Sequence, residues 1–228
     1  MEKIGIIGLG NMGMGIAKNI IKAGYATMGY DLRKECLEEI VSHGGEAAES
    51  VSQIGDLCDV VFVMVMNGDQ VKEVVTQLSP GLKERGTIII TATITPEEVR
   101  AAYSLAKESN IRMVDSPVSG GLDGAHEGTL TLMTSADDKT FSDCHDILGA
   151  ISKDIFHVGK NIGDGQTVKA SLQSFIGSTF VAIFESLVLG SKAGIDGKTL
   201  YDVFSSSGVS SPLFKNCAKL IMDRKFEN

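Results

Sequence analysis

An apolar run at the start of the chain leads directly into three spaced glycines. Residues 4–7 are Ile-Gly-Ile-Ile, and Gly8, Gly10 and Gly13 follow as a helical pattern begins. In a G-x-G-x-x-G segment the first glycine permits a tight turn, the second lets backbone amides approach a pyrophosphate, and the third lets the helix pack closely on the strand. The amides at the helix N-terminus then favour an anion. The segment therefore predicts a dinucleotide site.

A carboxylate stands where such a site needs one. The second apolar run ends at Asp31, about 20 residues beyond the glycines, as the motif requires. Asp31 can accept hydrogen bonds from both hydroxyls of an adenosine ribose, and its charge repels a 2′-phosphate, so NAD is the expected cofactor. The basic residues Arg33 and Lys34 act against that preference, so NADP remains the alternative. They could also be no more than a solvated charge cluster at the start of a helix.

The composition describes an acidic globular chain. Its 228 residues carry a formal net charge of -8, and 43% of them are hydrophobic. Without a Lys/Arg-rich run, neither nucleic acid nor a membrane is expected as a partner. The four cysteines are widely spaced and the four histidines isolated, so we expect reduced thiols and no metal site. The first strand begins within three residues of Met1, which leaves no room for a targeting peptide and favours a cytoplasmic location.

Short β-rich runs alternate with helical patterns up to about residue 158, which is typical of a parallel sheet covered on both faces. The predicted strands are Lys3–Ile7, Ala26–Tyr30, Val60–Met64, Thr87–Thr91, Arg112–Asp115, Thr129–Thr134 and Ile155–Val158. Ligands of such sheets lie at the carboxyl ends of the strands. The fold class is therefore α/β, with an N-terminal doubly wound Rossmann domain over residues 1–162, and the loops after Met64, Thr91 and Asp115 are the places to look for chemistry.

The pattern changes after Gly159. Residues 166–193 predict one long helix that ends at Gly194, and shorter helices follow near residues 198–204 and from Pro212. The apolar part of the long helix contains serines, a threonine and a glutamate, which favours a buried helix over a membrane span. Residues 163–228 are thus predicted to form an all-α domain that starts with a long interdomain helix.

The segment from Asp115 to Gly121 closes a strand with small residues. A glycine-rich loop at a strand end is commonly no more than a turn. Beside a cofactor groove, however, the Ser119 hydroxyl and the amides of Gly120 and Gly121 would form a cradle for a small carboxylate.

Lys169 lies near the start of the long helix, with Gln173 one turn later on the same face. A lysine on a helix is usually solvated. Partial burial beside a cofactor would instead lower its pKa and suit it to act as a general acid and base.

Together these motifs resemble the β-hydroxyacid dehydrogenases, which include 3-hydroxyisobutyrate dehydrogenase, tartronate semialdehyde reductase and L-threonate dehydrogenase and are distant relatives of 6-phosphogluconate dehydrogenase. The matching features are residues 8–24, the segment 115–121, and Gly165 followed by Lys169, in this order along the chain. The resemblance implies hydride transfer between a nicotinamide dinucleotide and a small 2- or 3-hydroxy acid or its semialdehyde. It also implies that Lys169 exchanges the proton with the substrate oxygen.

The same resemblance implies roles for the binding residues. Ser119, Gly120 and Gly121 match the segment that binds the substrate carboxylate, and Gln173 is expected to orient the substrate. The expected cofactor contacts are Gly8, Gly10, Asn11, Met12, Gly13 and Asp31, with Val65 and Met66 on the adenosine side and Thr93 near the nicotinamide.

Two departures from the family pattern affect these expectations. The family usually has Lys-x-x-Asn-Asn, whereas residues 169–173 here are Lys-Ala-Ser-Leu-Gln. The threonate-type branch of the family tolerates a glutamine at the last position, so this resemblance points toward polyhydroxy acids. Family members also generally continue through more C-terminal helices, so the helical domain is expected to be incomplete. A neighbouring subunit would then close the site in a homo-oligomer, since the long helix is commonly a dimer contact in relatives.

Two other functions compete with this one. A dinucleotide-binding protein without turnover, either a scaffold or an inactive truncated form, is the alternative from another class. Imine reduction is less expected, because members of that branch generally replace the lysine that stands here at residue 169.

Overall fold

The computed structural model describes residues 2–82 and 86–225. The chain divides into two compact units, Met1–Ala170 and Ser171–Asn228. This division falls inside a helix, Asp164–Lys192, that begins in the first unit and continues in the second. The domain boundary that we predict between residues 162 and 163 stays a prediction.

The described elements alternate between strand and helix in the first unit and are helical in the second. The strands are β1 Lys3–Ile7, β2 Ala26–Tyr30, β3 Glu46–Ala47, β4 Val60–Val63, β5 Thr87–Ile90, β6 Arg112–Asp115, β7 Val118–Ser119, β8 Leu130–Ser135 and β9 Ser152–Gly159. The helices are α1 Asn11–Lys22, α2 Lys34–Ser42, α3 Val51–Leu57, α4 Gly68–Leu78, α5 Pro96–Glu108, α6 Gly121–Glu127, α7 Asp138–Gly149, α8 Asp164–Lys192, α9 Gly197–Ser206 and α10 Pro212–Met222.

Six strands form a parallel sheet in the order β3-β2-β1-β4-β5-β6. From β1 the chain adds β2 and β3 on one side, and it then crosses over to place β4, β5 and β6 on the other side of β1. This crossover creates the switch point at which open α/β sheets bind their ligands. β8 extends the sheet antiparallel to β6 and pairs with β7 and β9. The predicted doubly wound α/β fold with a following helical part is confirmed.

The apolar strands bury side chains on both faces of the sheet. Ile6 and Phe62 belong to the cluster beneath α1, whereas Val61, Val63 and Ile88 belong to a second cluster beneath α3, α4 and α5. Alternate residues of a strand point to opposite faces, so a run that is apolar throughout fits a sheet covered by helices on both sides. This covering leaves the carboxyl edge of the sheet as the place where loops can meet a ligand.

The apolar part of α8 is exposed in this chain by itself. Phe175 and Leu189 are 69% and 75% exposed, so the prediction of a buried helix is wrong for the isolated chain. By length and composition α8 also suffices to cross a membrane, although core helices of soluble proteins meet the same criterion. Gly194 follows the end of α8 with a φ of +87°, as predicted for a C-terminal stop.

Candidate active site at the carboxyl edge of the sheet

The turn from β1 to α1 packs its glycines tightly against neighbouring backbone. Gly8 has a φ of +89°, and a Cβ placed on it would lie 2.2 Å from the carbonyl oxygen of Met64, just after β4. A Cβ on Gly13 would lie 1.8 Å from the carbonyl oxygen of Gly8. Atoms do not approach so closely, so Gly8 is needed where the turn packs against the end of β4, and Gly13 is needed where α1 packs against the turn.

The N-terminus of α1 is prepared for an anion. Its N-cap is Gly10, which has no side chain to accept from the first-turn amides, and the first turn carries no acidic residue. Asn11 is exposed and Met12 is half-buried in this turn. The orphan amides and the positive end of the helix dipole therefore suit a pyrophosphate, and the residues present fit a dinucleotide.

Asp31 follows β2 and is bound to the glycine loop. Its Oδ2 accepts from the amide of Leu9 at 2.8 Å, and its Oδ1 accepts from the amide of Arg33 at 3.0 Å. The Arg33 guanidinium adds two bonds, from Nε to Oδ1 at 3.0 Å and from Nη2 to Oδ2 at 3.1 Å. Burial by itself would raise the pKa of Asp31, but the bonds from Arg33 and Leu9 outweigh burial and lower the pKa. Asp31 is therefore ionised at neutral pH.

The remaining predicted cofactor residues lie in loops at the same edge. Val65 is half-buried after β4, and Met66 is exposed, with its amide donating to Gln70 Oε1 at 2.9 Å. Thr93 is exposed after β5. Since β4 lies between β1 and β5, these loops and the glycine loop follow the carboxyl ends of adjacent strands.

The predicted substrate segment follows β6. Ser119 is half-buried at the end of the short strand β7, opposite Thr131 of β8. Gly120 and Gly121 are exposed and have φ values of +132° and +65°. Among the described residues, no hydrogen bond joins Ser119 to Lys169. Their roles stay predictions.

Lys169 is buried in the first turns of α8, with only 7% of the residue exposed. Burial lowers its pKa. In the part of the chain that the structure describes, no carboxylate forms an ion pair with Lys169. Because a buried ammonium without a partner is unfavourable, burial shifts the protonation equilibrium of Lys169 toward the uncharged amine. Gln173, four residues later in α8, belongs to the second unit and is exposed.

Asp115, at the end of β6, holds the start of α8. Its Oδ2 accepts from the amides of Gly163 at 2.9 Å and Gln166 at 3.2 Å, and from Ser135 Oγ at 3.1 Å. Asp115 is fully buried, and its burial raises its pKa, while these hydrogen bonds act in the opposite direction. Its sequence position marks the end of a strand, but nothing in the local pattern indicates these partners.

Gln166 is a second residue that is absent from the predicted site. Its Nε2 donates to Asp115 Oδ1 at 3.0 Å and to the Ala92 carbonyl oxygen at 2.9 Å, and its Oε1 accepts from the amide of Ile94 at 3.1 Å. Ala92 and Ile94 flank Thr93. A single buried side chain therefore joins the loop after β5, the end of β6 and the helix that carries Lys169.

No metal centre is found within residues 2–82 and 86–225, because no three His, Cys, Asp or Glu side chains gather there in a suitable group.

Comparisons with known proteins show the family to which the chain belongs. Residues 3–159 match the model of the NAD binding domain of 6-phosphogluconate dehydrogenase, and residues 163–228 match the model described as NAD-binding of NADP-dependent 3-hydroxyisobutyrate dehydrogenase. The chain therefore belongs to the β-hydroxyacid dehydrogenase family, as its motifs imply, and it is an oxidoreductase.

Individual relatives agree with this assignment. The chain is 34% identical to the L-threonate dehydrogenase of Cupriavidus necator, over 94% of this chain and 73% of the relative. It is also 34% identical to the 2-(hydroxymethyl)glutarate dehydrogenase of Eubacterium barkeri, over 98% and 75%. The crystal structure of a 3-hydroxyisobutyrate dehydrogenase from Salmonella typhimurium superposes with a TM-score of 0.89 at 28% identity, covering 99% of this chain and 80% of that one. These matches give no support to a binding protein without turnover.

Proposed function

We propose that the chain oxidises a small 2- or 3-hydroxy acid, or reduces the matching semialdehyde, with NAD as its cofactor and Lys169 as general acid and base. The observation that carries the proposal is the burial of Lys169 on a helix whose first turn is bound to the ends of β5 and β6. A lysine held there with no carboxylate partner among residues 2–82 and 86–225 is better suited to proton transfer than to stabilising the fold.

The proton and the hydride leave the substrate separately. A bound nicotinamide supplies the hydride acceptor in oxidation and the hydride donor in reduction. The uncharged amine of Lys169 takes the hydroxyl proton as the carbon loses its hydride, and the resulting ammonium returns a proton to the carbonyl oxygen in the reverse direction. Because burial lowers the pKa of Lys169, a larger fraction of the amine is available near neutral pH.

The preference for NAD rests on Asp31. A carboxylate with a lowered pKa remains charged where the adenosine ribose would lie, and it repels a 2′-phosphate. Arg33 offsets part of this charge through its two side-chain bonds to the carboxylate. We therefore propose a modest preference for NAD.

The substrate class follows from the segment after β6. The half-buried Ser119 offers a hydroxyl, and Gly120 and Gly121 carry no side chains beside their amides, which suits a small carboxylate. The relatives that act on L-threonate and 2-(hydroxymethyl)glutarate are named for substrates with a carboxylate and a hydroxyl group. We assign Gln173 to a substrate hydroxyl, which extends the proposal to polyhydroxy acids.

The exposed apolar side chains of α8 support assembly into a homo-oligomer, in which a second copy of the chain covers them. The free thiols Cys36, Cys58, Cys144 and Cys217 are compatible with a reducing compartment, and we propose a cytoplasmic location.

The experiment is turnover followed by nicotinamide absorbance. NAD is supplied with 3-hydroxyisobutyrate, threonate, glycerate and 4-hydroxybutyrate, and NADH with the matching aldehydes. We expect turnover on at least one member, and a loss of about 10²- to 10⁴-fold in Lys169→Ala with NAD affinity nearly unchanged. Equal activity in Lys169→Ala would reject the role of the lysine, and a silent panel with NAD still bound would reject the proposed substrate class.

A further inference from the structure

We propose that Gln166 is a positioning residue, which sets the place of Lys169 relative to the loop after β5 by joining that loop, Asp115 and the first turn of α8. The inference rests on the proposed function, because it assumes that Lys169 exchanges the proton. Gln166 itself is not expected to touch the substrate.

The chemistry of the side chain fits this role. Gln166 is 1% exposed, and its carboxamide both donates and accepts: two donations, to the carbonyl oxygen of Ala92 and to Asp115, and one acceptance, from the amide of Ile94. A carboxamide can satisfy all three partners at once, whereas a carboxylate has no donor and a methionine has neither donor nor strong acceptor. Buried partners left unsatisfied are costly, so replacing this residue should displace the elements that it joins.

Because Gln166 and Lys169 lie in the same helix, fixing the position of Gln166 also fixes the position of Lys169. Residues three apart lie on the same helix face, so Gln166 and Lys169 both face the sheet edge, and both are buried. Asp115 accepts from the amides of Gly163 and Gln166 in the same turn and also from the Gln166 side chain, so Gln166 and Asp115 form one hydrogen-bond network at the helix start. Ala92 and Ile94 flank Thr93, so the partner loop is the one predicted to meet the nicotinamide. Gln166 thereby connects the proton-transfer residue to the hydride-transfer side of the site.

Gln166→Met tests this inference, with Asn19→Leu as the matched control. Asn19 is likewise a buried amide, donating at 2.9 Å to the carbonyl oxygen of Gly15 and at 2.8 Å to that of Ala125 in α6, and it is not one of the predicted site residues. Both variants replace a carboxamide by an apolar side chain of similar size. For Gln166→Met we expect kcat to fall about 10- to 100-fold while the Kd for NAD changes by less than about threefold. Asn19→Leu should lower Tm but keep the parent kcat.

A second readout does not require turnover. In protein labelled with [13Cε]lysine, with Lys169→Arg used to assign the resonance, the pKa of Lys169 should rise in Gln166→Met as the helix start loosens and the amine becomes better solvated. Asn19→Leu should leave this pKa at the parent value. If the parent turns over no member of the panel, the proposed function fails, and this titration alone decides the positioning role.

Gln166→Glu keeps the test decisive if Gln166→Met does not fold. A carboxyl group at this position lies beside Asp115, which raises its pKa, and only its protonated form can still donate a hydrogen bond. The ratio of kcat in Gln166→Glu to parent kcat should therefore fall as pH rises. A ratio that stays flat with pH, or a Gln166→Met enzyme that loses Tm but keeps kcat within about twofold, would overturn the positioning role.

Discussion

Arg33 holds Asp31 by a two-pronged ion pair, in which Nε and Nη2 each donate to a different carboxylate oxygen at 3.0 and 3.1 Å. The pair lies beside the glycine loop, since Asp31 also accepts from the amide of Leu9 and an Arg33 nitrogen lies 3.5 Å from the position of a Cβ on Gly10. The negative residue that disfavours a 2′-phosphate and the positive residue that could bind one are thus in direct contact. The choice between NAD and NADP depends on their balance.

Asp31→Asn should shift this balance toward NADP. The substitution removes the charge that repels a 2′-phosphate and releases the Arg33 guanidinium, so we expect the ratio of NADP to NAD affinity to rise about tenfold. Arg33→Ala should move the ratio in the opposite direction, because it leaves the charge of Asp31 uncompensated. Fluorescence titration of both cofactors measures the ratio, and an unchanged ratio in Asp31→Asn would refute the role of the carboxylate.

The pH dependence of turnover should report Lys169. Burial lowers the pKa of this lysine, and oxidation needs the uncharged amine, so kcat for oxidation should rise with pH through a midpoint below the ordinary lysine value of 10.5. Reduction needs the ammonium and should fall across the same range. Profiles of both directions on one substrate test this, since two unrelated midpoints would not fit a single acid and base.

The free energy of unfolding should also depend on pH through Lys169. The folded pKa of Lys169 lies below its unfolded value, so the unfolded chain binds more protons between the two values and stability rises with pH through that window. Lys169→Met should remove this rise. Urea unfolding at several pH values measures the free energy of unfolding. If it rises equally with pH in the parent and in Lys169→Met, the prediction of a buried lysine at this position is contradicted.

The carboxyl edge of the sheet was predictable because its signals are local. The glycines, the apolar strands and Asp31 each follow from a short pattern, and parallel strands bring their ends together. The strands β3 and β7 have two residues each, which is too short for any periodicity to mark them.

The contacts of Gln166, by contrast, join residues that are far apart in the sequence. Asp115 is 51 residues away along the chain and Ala92 is 74 residues away, so the contacts exist only once the sheet and α8 have packed. In the sequence Gln166 is simply a polar residue in the first turn of a helix, where a solvated side chain is the ordinary outcome. The exposure of α8 could not be predicted for a related reason. An apolar pattern predicts that a helix is buried, but it does not indicate whether residues of the same chain or of another chain bury it.

Gly13→Ala should weaken both cofactor binding and the fold. A Cβ at this position would meet the carbonyl oxygen of Gly8, so α1 must move away from β1, at a cost of about 1–3 kcal/mol. NAD affinity should fall at least about tenfold as the helix N-terminus shifts. Gly149→Ala is the control, because Gly149 also lies in a helix and a Cβ there meets no atom of the described residues within 4 Å. Parent-like Tm and NAD affinity in Gly13→Ala would show that the close approach is dispensable.

Leu189→Glu should separate the copies of a homo-oligomer without unfolding the chain. Leu189 is 75% exposed in α8, so the substitution removes little packing within one chain, yet it places a charge on the face that a second copy is proposed to cover. Val41→Glu is the control, since Val41 is an exposed apolar residue of α2 in the other unit. Light scattering after size exclusion should give a lower mass for Leu189→Glu than for the parent and Val41→Glu, all with similar Tm. A monomeric parent, or an unchanged mass in Leu189→Glu, would mean that another copy of this chain does not cover that face.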